Sequence, residues 1–100
     1  MIYNLDKNIV DAINRVGKKH NINKITLFGS RARGDNKLHS DIDLAIDVDK
    51  NLDNRSLIYF DLEDIETLLK LDIVFIDKYT DQRLMLNIER DGVILYEREQ

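Results

Sequence analysis

Leu27-Phe28-Gly29-Ser30-Arg31-Ala32-Arg33-Gly34-Asp35, then Asn36-Lys37-Leu38-His39, then Ser40-Asp41-Ile42-Asp43-Leu44-Ala45-Ile46, is the stretch that decides how this chain folds. Its second half alternates acidic or small residues with large aliphatic ones. In a β-strand, residues two apart share a side. Asp41 and Asp43 therefore fall on one face, while Ile42, Leu44 and Ile46 fall on the other. Two ionised carboxylates side by side repel each other, and a cation between them removes the cost. The first half ends an apolar run at Gly29, a residue that permits a tight turn and close backbone approach. Backbone N–H groups at the start of the helical turn that follows suit phosphate oxygens, and Ser30 adds a hydroxyl.

Outward from that stretch, helix and strand periods alternate. Ile9, Ile13 and Val16 recur at helical spacing from Asp6, a natural N-cap, to about His20. Lys24 to Phe28 reads as a strand, residues 31–38 as a short helical turn and a loop, and 41–48 as a second strand. A turn is expected over Asp49 to Asn54. Ile58, Leu62, Ile65 and Leu69 predict one helix from Arg55 to Lys70, with Tyr59 and Phe60 packed on the sheet unless one is exposed at a partner interface. Leu71-Asp72-Ile73-Val74-Phe75-Ile76 is apolar on both faces except at Asp72, which predicts an interior strand. A helix from about Asp81 to Arg90 stops at Gly92, and Val93 to Tyr96 closes the chain as a strand. The fold class is α/β (α+β): a small mixed sheet of three to four strands with helices packed against it, in a single domain over residues 1–100.

If the strands at 24–28, 41–48 and 71–77 are adjacent, Asp72 is the best third carboxylate for the Asp41–Asp43 pair. Asp47 shares their face but lies four residues further along, and Asp77 sits at a strand end where acids form turns. Three carboxylates and a phosphate-binding turn are the components of two-metal phosphoryl chemistry. With 14 aspartates in the chain, most are solvated surface, caps or turns, and only their placement singles these three out.

Composition narrows the function further. Apolar content of 43% and charged content of 34% suit a folded globular chain. The net charge of −4 argues against broad binding to a nucleic-acid backbone. No signal-like start and no membrane-length apolar run are present, and no cysteine offers a disulfide or thiolate ligand. The expected location is cytoplasmic.

Gly29-Ser30-Arg31-Ala32-Arg33-Gly34-Asp35 through Ser40-Asp41-Ile42-Asp43-Leu44, with the downstream Leu71-Asp72-Ile73-Val74, resembles the signature of the DNA polymerase β-like nucleotidyltransferases. More narrowly it is similar to minimal nucleotidyltransferase antitoxins, which pair with HEPN-domain toxins. The resemblance implies a polymerase β-like palm in which Asp41, Asp43 and Asp72 are catalytic and bind two Mg²⁺ ions. Gly29 and Ser30 would hold the phosphates of ATP. From the residues alone Arg33, like Arg31, is either a fixed cation for the triphosphate or a solvated partner of a surface acid, the former favoured for Arg33. The resemblance implies transfer of AMP to a tyrosine hydroxyl of a cognate HEPN toxin, neutralising it. Two other readings stand beside it: a small-molecule nucleotidyltransferase, and a non-catalytic antitoxin that acts by binding alone. The short length leaves no acceptor-binding domain, which favours a protein acceptor or a second subunit, in a homo- or hetero-oligomer, that completes the cleft.

The remaining polar residues carry plainer expectations. Arg31 is either a phosphate contact or a solvated partner of a surface acid. Asp35 caps or turns its loop. His20 and His39 are each lone histidines without a second nitrogen ligand, expected on the surface.

Overall fold

The computed structural model describes residues 3–49 and 54–99. Most of the turn expected over Asp49 to Asn54 lies outside them. Four helices and four strands alternate: α1 (Lys7–Lys19), β1 (Lys24–Phe28), α2 (Ser30–Arg33), β2 (Ile42–Asp47), α3 (Arg55–Glu63), β3 (Leu71–Phe75), α4 (Gln82–Asp91) and β4 (Val93–Glu97). The strands form one mixed sheet in the order β3-β2-β1-β4. β2 and β4 run antiparallel to β1, and β3 runs parallel to β2.

Caps fix the helix starts. The Asp6 carboxylate accepts from the Asn8 N–H at 2.9 Å, and Asp81 accepts from Leu84 N–H at 3.1 Å. Each satisfies one of the donors that a helix start leaves free. α1 presents Ile9, Ile13 and Val16 to the sheet, and α3 presents Ile58 and Leu62.

Strand parity determines where everything else goes. Ile42, Leu44 and Ile46 are fully buried opposite Ile25 and Leu27 of β1, beneath α1 and α3. Burying a side chain of that size contributes roughly 1.5–3 kcal/mol, so a one-residue slip in β2 would put three such groups in water and the acids in the core. The expected face of β2 is the observed one. The other face carries Asp43, Ala45 and Asp47, and there α4 packs with Ile88 buried and Gly92 against Thr26. The result is three layers, α1 and α3, then the sheet, then α4.

Four sequence expectations change. β3 lies at the edge of the sheet, not inside it. Its Leu71, Ile73 and Phe75 belong to the core side, and only Val74 gives the opposite face an apolar residue. α3 ends at Glu63 instead of reaching Lys70, because the chain must turn back within seven residues to start β3. Ile65 and Leu69 still pack on the core from that turn, where the Thr67 hydroxyl accepts from the Leu69 N–H. Tyr59 and Phe60 point outward, the latter 66% exposed, since the α3 stripe that faces the core is Ile58 and Leu62. His20 is mostly buried: its Nε2 lies 2.6 Å from Asp61 Oδ2, joining the end of α1 to α3. No helix among the described residues is long and apolar enough to cross a membrane.

Candidate active site

The parallel register pairs Asp43 with Asp72, and the antiparallel register pairs Asp43 with Phe28, the residue before Gly29. Residues paired across a sheet point to the same side. The end of β1, the start of β2 and the start of β3 therefore meet on the face away from the core. The same registers separate the rival acids. Asp47 pairs with Lys24 at the far end of β1, about 13 Å from Asp43 at strand rise. Asp77 follows Ile76, whose N–H bonds to Ile46 at that same far end. Of the three, only Asp72 lies beside Asp43.

Gly29 is required here on two counts. Its φ of +76° is a region that side chains rarely enter. A Cβ at this position would also strike the Asp43 carboxylate. The turn thus places bare backbone against Asp43, and α2 begins at the next residue with Ser30 half-buried.

The electrostatics follow from this crowding. Burial first, then the charges of Asp72 and Asp41, push the Asp43 carboxyl up to about 6, while Arg33 pulls it down. The carboxyls of Asp43 and Asp72 lie within hydrogen-bonding reach of each other. Asp41 stands one residue before the β2 ladder and is exposed. It acts on Asp43 through charge. Among the described residues no three acidic, histidine or cysteine side chains gather tightly enough to enclose an ion. Neighbouring strands pair Asp43 with Asp72, while no strand pairing fixes the exposed Asp41.

Oxygen-only donors suit a hard divalent cation such as Mg²⁺. A carboxyl pushed up to about 6 by burial, and then by its acidic neighbours, is the kind of group such a cation relieves. The donor chemistry of Asp43 and Asp72 fits such a metal.

The two arginines of α2 part company. Arg31 is buried, and its guanidinium donates to the backbone carbonyls of Ser40 (3.0 Å), Leu38 (3.1 Å) and Asn4 (3.2 Å). The Asn4 N–H returns a bond to the Arg31 carbonyl at 2.9 Å. Neither sequence expectation for Arg31 describes this brace, which ties the N-terminal segment to the loop entering β2. Arg33 is half exposed on the Asp43 side. Its Nε bonds Asp35 at 3.1 Å and its Nη1 lies 3.7 Å from Asp91 at the end of α4. The hydrogen bond to Asp35, above all, raises the Arg33 pKa. Asp35 thus holds Arg33 rather than merely turning its loop. Asp91 had no signal in the sequence beyond standing before Gly92. His39 is exposed, as expected.

A family model for polymerase β nucleotidyltransferases matches residues 11–100. The chain belongs to that family. Solved structures agree on the fold of this nucleotidyltransferase. A toxin–antitoxin crystallised with AMP-PNP superposes with a TM-score of 0.71 at 24% identity, covering 91% of this chain and 75% of that one. A mutant of the toxin–antitoxin MntA-HpeT gives 0.70 at 22% identity with the same coverage. A second MntA-HpeT mutant gives 0.66 at 26% identity, covering 97% of this chain and 76% of the other. No curated protein matches the chain.

Proposed function

We propose that this nucleotidyltransferase is an antitoxin that moves AMP from ATP onto a tyrosine hydroxyl of a HEPN-domain toxin. The observation that carries the reading is the in-register contact of Asp43 with Asp72 beside the Gly29 turn. The toxin–antitoxin character of the similar structures, one of them holding AMP-PNP, supports the partner class and the nucleotide.

Asp43 and Asp72, with Asp41, would hold two Mg²⁺ ions, which supply charge neutralisation at the triphosphate and lower the pKa of the attacking hydroxyl. Gly29 and Ser30 offer backbone and hydroxyl donors to the phosphates. Arg33 adds a cation that Asp35 and Asp91 keep in place. The tyrosine oxygen forms a bond to the α-phosphorus as the bond from that phosphorus to the bridging oxygen breaks. Pyrophosphate leaves with the electron pair, and Asp72 takes the hydroxyl proton. Product and reactants balance as tyrosine plus ATP giving adenylyl-tyrosine plus pyrophosphate.

The acids lie on an open shelf, with Asp41 and Asp72 exposed. A protein acceptor's own surface supplies water exclusion over such a shelf, which a small molecule does not.

The test is incubation with ATP labelled at the α- or the γ-phosphate, Mg²⁺, and the protein encoded beside this chain. Label on that protein from the α-position alone, lost in Asp43→Asn, supports adenylyl transfer. Neutralisation of the partner that survives Asp43→Asn without label would make the chain a binding antitoxin.

A further inference from the structure

β3 ends the sheet, and among the described residues no strand pairs with its outer side. Its backbone groups can be assigned to sides. The Lys70 carbonyl accepts from Ile42 N–H, and Ile76 N–H donates to the Ile46 carbonyl, each at 2.9 Å and each toward β2. Backbone groups alternate in direction along a strand. Residues 70, 72, 74 and 76 thus bond inward, and the N–H and C=O of Leu71, Ile73 and Phe75 face out. The pairing with β2 runs from Ile42–Leu71 to Ile46–Phe75 without a bulge. Of the usual devices that blunt an open edge, the strand lacks proline, lysine and a bulge, and its one charged residue is Asp72.

Beneath this edge α3 runs antiparallel to β3. The Arg55 guanidinium stands 5.6 Å over the Phe75 ring, at the far end of the strand. One helical turn covers nearly the length of two strand residues, so Tyr59 comes level with Ile73 and Glu63 with Leu71. The Glu63 carboxylate near Tyr59 raises the pKa of its hydroxyl. The helix thus adds an exposed floor, Arg55–Tyr59–Glu63, along the open strand.

An edge of this kind selects its occupant. Three outward N–H and C=O pairs at a two-residue repeat match an extended backbone and nothing more compact. Charge selects further. Toward the Leu71 end the acids Asp41, Asp72 and Glu63 outnumber the one lysine, Lys70, and Arg55 marks the other end. We propose that the free edge of β3 takes an extended, lysine- or arginine-bearing segment of the acceptor protein as a fifth strand, which sets its hydroxyl beside Asp72. A residue opposite Asp72 on that strand would point to the same face as Asp43. This rests on the protein-acceptor reading above and says where on the chain the acceptor binds.

The alternation supplies a distinctive test. Amide exchange is followed by NMR on the full chain, with and without the full-length protein encoded beside it. Strong new protection at Leu71, Ile73 and Phe75, with Asp72 and Val74 nearly unchanged, is the expected result. A complex that leaves those three amides exchanging as before overturns the proposal while sparing the adenylyl-transfer reading. Absence of both complex and label would remove that reading and this one with it. Glu63→Lys, an exposed change on a helix surface, should raise the KM for the acceptor about tenfold through lost charge complementarity, and leave the KM for ATP alone. An unmoved acceptor KM counts against the proposal.

Discussion

Asp43 and Asp72 stand in register across the parallel β2–β3 pair, their carboxyls within hydrogen-bonding reach and the bare backbone of Gly29 pressed against the first. The fold alone does not favour two anions there. It is an arrangement that needs a proton or a cation, and its costs are measurable.

Without metal, the protein should lose stability as pH rises between the ordinary aspartate value of 3.8 and about 6. Asp43 is raised in the folded state, so folded protein binds more protons than unfolded across that window. Its stabilising contribution is full below the window and gone above it. Asp43→Asn should abolish this slope and melt higher than the parent at pH 8 in EDTA. A parent that melts above the variant there would contradict the assigned strain.

Mg²⁺ affinity should fall as pH drops below about 6, because a metal ligand must release its proton. Calorimetric titration with Mg²⁺ and a non-hydrolysable ATP analogue at pH 5 and 8 checks this. Equal affinities would place the ion away from Asp43.

Gly29→Ala should cost roughly 1–3 kcal/mol, from the left-handed backbone and the collision with Asp43. The more telling effect is local. Asp43 must move to admit the methyl group, so nucleotide-dependent stabilisation should vanish even in the folded fraction. Retention of that stabilisation would show that the turn's tightness is not needed.

The two arginines should separate stability from binding. Arg31→Met strands three carbonyls that now share one buried guanidinium, and should cost roughly 2–4 kcal/mol. Arg33→Ala should barely change the melting temperature and should weaken ATP. Chemical denaturation and nucleotide titration of both variants distinguish them, and a reversed pattern would exchange their roles.

Much of this site is legible in the sequence because parity is. Ile42, Leu44 and Ile46 needed burial, which forced Asp43 to the opposite face, and the Gly29 turn had to lie next to it once β1 and β2 paired. What could not be read depended on distant partners. β3 looked interior because Val74 adds an apolar residue to the face opposite Leu71, Ile73 and Phe75, and strand order is not written in a single strand's pattern. Arg31 and Arg33 look equivalent two residues apart on a short helix. One turns under the loop toward Asn4, the other out toward Asp91. His20 looked solvated until α3 brought Asp61 beside it, since nothing local marks a contact across 41 residues.

The central claim is that Asp43 and Asp72 together hold the divalent ion. Electron paramagnetic resonance of Mn²⁺ titrated into the protein with a non-hydrolysable ATP analogue reads bound metal directly. The account predicts bound Mn²⁺ in the parent and in Asp47→Asn, and its loss in both Asp43→Asn and Asp72→Asn. Bound metal that persists in Asp43→Asn, or disappears in Asp47→Asn alone, would contradict it.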